Sequence, residues 1–453
     1  MSENPTYISR IPSPSEIIKA QSPQSQETIM SQEPNQARQP ATIDSQYAGA
    51  IKVSVVSSID QTPIANAAVV ISYTGDPQAP LESLMTNSSG QTETVELPAP
   101  PLNWSLDPES VNQPYSEYNI QVTAAGYEPV LVSGSEILAG QLSLQPIRMN
   151  PVAISDDEKV VIIPAHTLFG EYPPKIPEDE IKPMAETGEI VLSRVVIPEY
   201  VIVHDGVPED PTAPNYWVKY RDYIKNVASC EIYSTWPEAA IYANVLAIMS
   251  FTLNRVYTEW YRNQGYDFTI TSSTAYDQKW IYGRNIFENI DYLVDTIFAN
   301  FLSRPGVRQP IFTSYCDGQR VTCSGLSQWG SKYLADEGYS AIDIIHYYFG
   351  NDMYINTADV ISGVPSSFPG YNLTIGSSGE KVRQLQTQLN RIARNYPALP
   401  TVVPDGVYGP ATAESVRIFQ DIFNLPVTGI TDYATWYEIS EIYVGVTRIA
   451  EPE

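Results

Sequence analysis

Ala228-Ser229-Cys230-Glu231-Ile232-Tyr233-Ser234-Thr235-Trp236-Pro237-Glu238 sets one carboxylate between two helical patterns. Before it, Tyr220, Tyr223, Ile224 and Val227 recur at helical spacing. After it, Pro237 stands where a first helical residue tolerates proline, because the missing N–H would be unpaired there anyway. Ala240, Ala243, Val245-Leu246-Ala247 and Phe251 then carry the pattern towards Tyr261 with apolar residues on both faces, which predicts a buried helix. Downstream lie the turn residues Tyr276-Asp277-Gln278 and Tyr282-Gly283-Arg284. A helix is expected from Ile286 to about Phe301, a strand over Gln309 to Tyr315 and a loop over Cys316 to Gly330. Two short helices close the region, the second capped by Ser340. Helices and short strands so interleaved give a central α+β unit.

The whole chain of 453 residues is too long for one ordinary core. Its 43% hydrophobic content, with 31 Tyr, 11 Phe and 7 Trp, can fill several. The formal charge of −26 argues against nucleic-acid phosphate as a partner. No apolar run approaches the ~20 residues of a membrane span. The N-terminus lacks the basic-then-apolar pattern of an export signal. Three cysteines, Cys230, Cys316 and Cys323, are too few for a secreted disulfide framework.

Composition divides the rest. Residues 1–46 are rich in Pro, Ser, Gln and Glu and read as a disordered tail. Over 47–150, alternating segments such as Ile51-Lys52-Val53-Ser54-Val55 and Tyr118-Asn119-Ile120-Gln121-Val122, with turn signals between them, predict an antiparallel β-sandwich. Residues 151–195 are an acidic, Pro-rich connector, 196–357 the central unit and 358–370 a linker. Residues 371–445 form a small module of three helices, with Val382, Leu385, Leu389, Val416, Phe419 and Trp436 in its core. The expected fold class is therefore multidomain: sandwich, α+β unit, three-helix module.

Three resemblances follow. Ile375-Gly376-Ser377-Ser378-Gly379-Glu380, Asp405-Gly406-Val407-Tyr408-Gly409-Pro410 and Phe419-Gln420 together resemble the peptidoglycan-binding domain of the small three-helix type. That resemblance implies bacterial wall as partner, with Asp405, Tyr408 and Gln420 facing the ligand or else serving turns and core. Thr62-Pro63-Ile64-Ala65-Asn66-Ala67 with Thr86 to Gly90 and Tyr118 to Tyr127 resembles the carboxypeptidase-regulatory-like sandwich, a spacer without catalysis. Tyr223 to Glu231, Trp236, Asp277-Gln278, Tyr282-Gly283 and Gly325-Leu326-Ser327-Gln328-Trp329-Gly330 resemble the stage II sporulation protein D family, which includes the amidase enhancers.

This last resemblance implies a lytic transglycosylase that cleaves wall glycan strands with Glu231 as a single general acid/base. The sugar's own 6-hydroxyl closes an anhydro ring, so no second carboxylate is needed to activate water. An apolar setting suits such an acid, and Ile232, Tyr233 and Trp236 are the neighbours in sequence. Ser327 and Gln328 would orient sugar or acid, and Tyr276, Asp277, Gln278 and Tyr282 would line a sugar groove. The bland alternatives are an interhelical cap for Glu231 and turn or core roles for the rest. No cofactor is required, although some members bind zinc in the Cys316 to Gly330 loop. Cys316 and Cys323 are open to three states: free thiols, a disulfide or zinc ligands.

Where relatives often carry His, this chain has no His around Thr313 and has Thr322 before the Ser327-Gln328 signature. The departures keep two other readings open. One is a wall-binding protein that positions or stimulates another wall hydrolase; the other is a structural protein of a spore or phage-like particle. Without an export signal, the chain is expected at the wall, at a spore cortex or coat, or on a particle, after synthesis in a cytoplasm.

Overall fold

A computed structural model describes residues 47–152, 159–182 and 194–447. The expected disordered tail lies outside the described residues, as do parts of the connector. The architecture is multidomain α+β, with several small sheets and eight α-helices among the described residues.

The first region holds β1 (Ala48–Ser57), β2 (Ala68–Tyr73), β3 (Asp76–Met85), β4 (Val95–Pro98), β5 (Ser116–Thr123), β6 (Val130–Ile137), β7 (Leu142–Met149) and β8 (Lys159–Ile162). One sheet runs β3-β2-β5-β6-β8; the other contains β7-β1-β4. Alternation drives both. In β1 every second residue, Ile51, Val53 and Val55, is fully buried, and these meet Val69, Ile71, Ile120 and Val132 of the other sheet in one cluster. The strand β8 comes from the stretch read as connector. It pairs in parallel with β6, burying Val161 and leaving Val160 and Ile162 exposed, the pattern of an edge strand.

The middle region is built on α1 (Tyr220–Glu231), α2 (Glu238–Tyr257), α3 (Glu288–Ile297), α4 (Gln328–Asp336) and α5 (Ala341–Phe349). Helix α2 is long and apolar enough to cross a membrane, but 83% of its most apolar window is buried inside the protein. Helix α3 is shorter than the pattern predicts. Asn300–Ser303 leaves it to pair antiparallel with Tyr354–Thr357. The strand expected over Gln309 to Tyr315 shrinks to Tyr315–Cys316, paired with Leu326–Ser327. Upstream of it, Thr313 Oγ1 donates to the Ala247 carbonyl at 2.6 Å.

Two polar joints fasten the regions together. Ile286–Phe287 adds to the β7 edge, and beside it Arg284 Nη2 meets Glu136 Oε2 at 2.8 Å with both side chains fully buried. Asn285 receives the Glu136 N–H and donates to its carbonyl, at 3.0 and 2.9 Å. The second joint docks the C-terminal helices α6 (Glu380–Ile392), α7 (Pro410–Ile422) and α8 (Tyr433–Thr447). Arg221 of α1 meets Asp295 at 2.8 Å and Glu438 at 2.9 Å, and also pairs with Glu441. Lys225 meets Asp291 at 2.7 Å and Asp295 at 2.8 Å, while Lys219 reaches Glu441 at 3.2 Å.

Four carboxylates thus face three cations. Burial pushes the Glu438 carboxyl up to about 7 against the pull of Arg221, and the Asp291 carboxyl up to about 6 against that of Lys225. A raised folded value means the folded state binds the proton more tightly. This contribution is complete below the ordinary carboxylate range and is lost as pH rises through 6 to 7. Chemical unfolding of Glu438→Gln should therefore show a flatter decline of stability between pH 5 and pH 7.5 than the unsubstituted chain. An equal slope in both would remove Glu438 as the proton's holder.

Candidate active-site cleft

Glu231 is the last residue of α1 and only 5% exposed. Its Oε1 accepts the Lys279 N–H at 2.8 Å. Its Oε2 takes a 3.3 Å contact from Gln328 Nε2, which also donates to the Glu231 carbonyl at 3.0 Å. Thr167 Oγ1 lies 3.5 Å from Oε2 and donates to the Cys230 carbonyl at 2.7 Å. The carboxylate therefore meets N–H donors on both oxygens, with the Thr167 hydroxyl close by. The expected apolar neighbours turn elsewhere: Tyr233 and Trp236 pack on Trp329, with ring centroids 6.1 and 4.9 Å away.

Ser327 is the N-cap of α4, its Oγ accepting the Gly330 N–H at 2.9 Å. The cap fixes Gln328 at the first helical position, aimed at Glu231. Two glycines allow this close packing. A Cβ on Gly330 would come within 2.0 Å of the Tyr348 hydroxyl oxygen, and one on Gly318, at φ +75°, within 1.8 Å of Ser327 Oγ.

A cleft of about 410 Å³ opens beside Glu231, lined by Thr167, Tyr172, Lys175, Tyr315, Asp317 and Arg320 among others. Thr167, Tyr172 and Lys175 come from the chain after β8, which straps over the end of α1. Arg320 clasps this strap: its guanidinium donates to the carbonyls of Thr167, Phe169 and Gly170 at 2.7 to 3.0 Å, and Nε meets Asp317 at 3.0 Å. The Lys175 ammonium donates to the Asp277 carbonyl and lies over the rings of Tyr315 and Phe251, at 4.5 and 4.7 Å. Burial pushes this amine down to about 8, while the charges of Glu231 and Asp277 hold it up.

Several expected site residues serve the scaffold instead. Asp277 is fully buried and accepts from Arg255 Nε, the Tyr261 hydroxyl and both the N–H and Oγ1 of Thr271, at 2.6 to 2.9 Å. Gln278, also fully buried, accepts from Tyr223 and Thr252 at 3.1 and 2.8 Å. Neither lines a sugar groove, because each is saturated by core partners; the turn they hold delivers the Lys279 N–H to Glu231. Tyr276 reaches Glu209 at 3.4 Å, and Tyr282 packs on Tyr216 at 4.9 Å, lining a cavity where the three regions meet.

In the C-terminal module, Tyr408 is buried with its hydroxyl on the Gly429 carbonyl at 3.0 Å. Gln420 is buried and holds the Thr428 and Gly429 N–H groups at 2.9 and 2.8 Å. Both are corrected from ligand-facing to loop-holding residues. Asp405 is exposed, but its Oδ1 takes Val407 N–H and Gln386 Nε2 at 2.8 and 3.0 Å.

Of the three states open to Cys316 and Cys323, the structure has the disulfide, across a sequence separation of 7; sulfurs so joined offer no thiolate to a metal. Cys230 is a buried free thiol, pushed up by burial to about 11. The disulfide closes the loop that carries Asp317 and Arg320. For so short a loop, Cys316→Ser with Cys323→Ser should cost about 2 to 3 kcal/mol, read by denaturant unfolding, and should loosen the Arg320 clasp. An unchanged midpoint would show that the loop is held without its bond.

Lys175, Thr167 and Arg320 escaped the sequence reading because they sit in a connector and a loop without periodicity. One signal was available. Lys159, Lys175 and Lys182 are three of very few cations in an acidic stretch, and each ends on a definite partner: Tyr282, the cleft, and Glu178 at 2.8 Å.

Comparison with known proteins bears on the C-terminal module. Residues 378–439 match the family model described as "Putative peptidoglycan binding domain". The chain carries a C-terminal peptidoglycan-binding domain. A curated relative, the zinc D-Ala-D-Ala carboxypeptidase of Streptomyces albus G, is 42% identical over 71 residues, which are 16% of this chain and 26% of that protein. The chain thus spans about a quarter of that relative's length. Among solved structures, the SleB N-terminal domain is 32% identical, covering 17% of this chain and 99% of that one, with a TM-score of 0.15. The minor pilin GBS52 of Streptococcus agalactiae is 15% identical, covering 24% of this chain and 47% of that one, with a TM-score of 0.18.

Proposed function

We propose that the chain is a peptidoglycan-bound lytic transglycosylase, its central domain at about 196–357 being of the stage II sporulation protein D type. The observation that carries the reading is the Glu231 carboxylate at the edge of a cleft, in a chain that also holds a wall-binding domain. In this reading the 6-hydroxyl of the sugar attacks its own anomeric carbon and Glu231 takes that hydroxyl's proton. The leaving oxygen requires a proton in return, which the same carboxyl can supply in the single-carboxyl scheme. Gln328 orients Glu231, and Ser327 fixes Gln328. The sheets at 47–150 act as a spacer of the carboxypeptidase-regulatory-like kind, and the wall, including that of a spore, is the place of action. The D-Ala-D-Ala carboxypeptidase among the relatives fits a cell-wall setting for the shared segment.

A second reading has one observation in its favour: Glu231 is almost covered by the strap and by its own donors. On that reading the protein binds wall and positions another hydrolase. Incubation of the full chain with purified wall and with peptide-stripped glycan separates the two. Release of soluble glycan fragments supports the enzyme; binding without release supports the scaffold.

A further inference from the structure

The cleft holds a second group fit to move a proton. Both Glu231 oxygens already face donors, the Lys279 N–H at 2.8 Å and Gln328 Nε2 at 3.3 Å, an arrangement that suits an acceptor. Arg320, the other cation lining the cleft, spends its guanidinium on Asp317 and three strap carbonyls. Lys175 is different. Its ammonium has three N–H groups, and the Asp277 carbonyl is the hydrogen-bond acceptor it meets; otherwise it lies over the faces of Tyr315 and Phe251. The ring faces attract the ammonium and hold it in place, and Glu231 lines the same cleft.

We infer that Lys175 is the proton donor to the leaving sugar oxygen, with Glu231 acting as the base. The inference rests on the proposed glycan cleavage and divides its proton work between two side chains. As the bond from the anomeric carbon to the leaving oxygen breaks, its electron pair goes to that oxygen, which takes a proton from the Lys175 ammonium. The 6-hydroxyl oxygen bonds to the anomeric carbon and its proton passes to the Glu231 carboxylate. Transfer of that proton from Glu231 to the neutral Lys175 amine restores the resting state, and no water or other reactant is consumed.

The charged groups facing Lys175 are Glu231 from α1, Asp277 from the turn after α2, Arg255 from α2 and Glu178 from the strap. Burial and Arg255 lower its affinity for the proton, and the three carboxylates raise it, leaving it at about 8. An acid must be protonated to act, so activity should be full below that value and fall as pH rises through it.

The test compares pH profiles of anhydro-product formation by the full chain, Lys175→Met, Lys175→Arg and Glu231→Gln. Lys175→Met should lose about 100-fold or more on wall glycan and lose the alkaline limb. Lys175→Arg keeps the charge but releases no proton at these pH values, so it should stay inactive, whereas a purely structural or electrostatic role would be rescued by it. A glycan oligomer with a nitrophenyl leaving group needs no proton; on it Lys175→Met should approach the unsubstituted rate while Glu231→Gln stays slow. Wall binding and unfolding midpoints check that each variant is folded. Full activity of Lys175→Met, or rescue by Lys175→Arg, overturns the inference and leaves the glycan-cleavage reading standing. No cleavage by the unsubstituted chain overturns both.

Discussion

Glu231→Gln is expected to lower glycan cleavage by about 100- to 10,000-fold, the range lost when a positioned proton-transfer group is removed. The substitution is nearly isosteric. The amide oxygen can keep the Lys279 N–H, and the amide nitrogen then faces Gln328 Nε2 and Thr167 Oγ1 where an acceptor stood. One donor meets another, at a cost of about 1 to 3 kcal/mol if the groups cannot turn. Wall binding should be untouched, because the peptidoglycan-binding domain lies at 378–439, in α6 to α8. The pair of measurements to make is therefore fragment release and wall co-sedimentation on the same preparation. Equal release by both proteins would place the chemistry elsewhere.

The second large effect concerns stability. Arg284→Leu should cost about 3 to 5 kcal/mol in denaturant unfolding, because it strands a fully buried Glu136 carboxylate without its cation. Burial already pushes that carboxyl up to about 7 even with Arg284 beside it. Without the guanidinium the carboxyl should bind its proton more tightly still, so the loss should be smaller at pH 5 than at pH 8. The double variant Glu136→Gln with Arg284→Leu should recover part of the deficit, since it leaves no unpaired charge. Because the pair joins β6 to the loop that leads into Ile286–Phe287, the single variant should also free the first region from the middle one. Limited proteolysis of the strap that follows β8, between residues 163 and 178, reads that directly. A loss below about 1 kcal/mol would mean that the Asn285 bonds hold the joint by themselves.

Legibility in the sequence followed periodicity. Helices α1 and α2 announced themselves through Tyr223, Ile224, Val227 and the apolar run to Phe251, and the alternation of Ile51, Val53 and Val55 announced β1. Three-helix packing at the C-terminus was equally plain, since Leu385, Leu389, Val416, Phe419 and Trp436 are all buried. Glu231 was legible as an odd carboxylate between helices. Its surroundings were not, because they depend on tertiary contacts that carry no local pattern. The backbone N–H of Lys279 leaves no trace in residue identity. The strap bearing Thr167 and Lys175 reads as loop, since Pro173, Pro174 and Pro177 break any period. Asp277 and Gln278 misled for the opposite reason. Polar residues in a turn suggest a surface, yet Arg255, Tyr261 and Thr271 draw Asp277 inside by satisfying its oxygens. The joints Glu136–Arg284 and Arg221–Glu438 lie 148 residues apart in one case and on separate regions in the other, beyond any window of sequence.

The central claim is intramolecular cleavage of wall glycan at Glu231, and digestion of peptide-stripped glycan by the full chain in heavy-oxygen water tests it most directly. Mass spectrometry should find fragments with anhydro ends that carry no heavy oxygen, absent from the Glu231→Gln digest. Reducing ends labelled with heavy oxygen would mean hydrolysis, and intact strands bound to the protein would mean a wall-binding scaffold; either result contradicts the account.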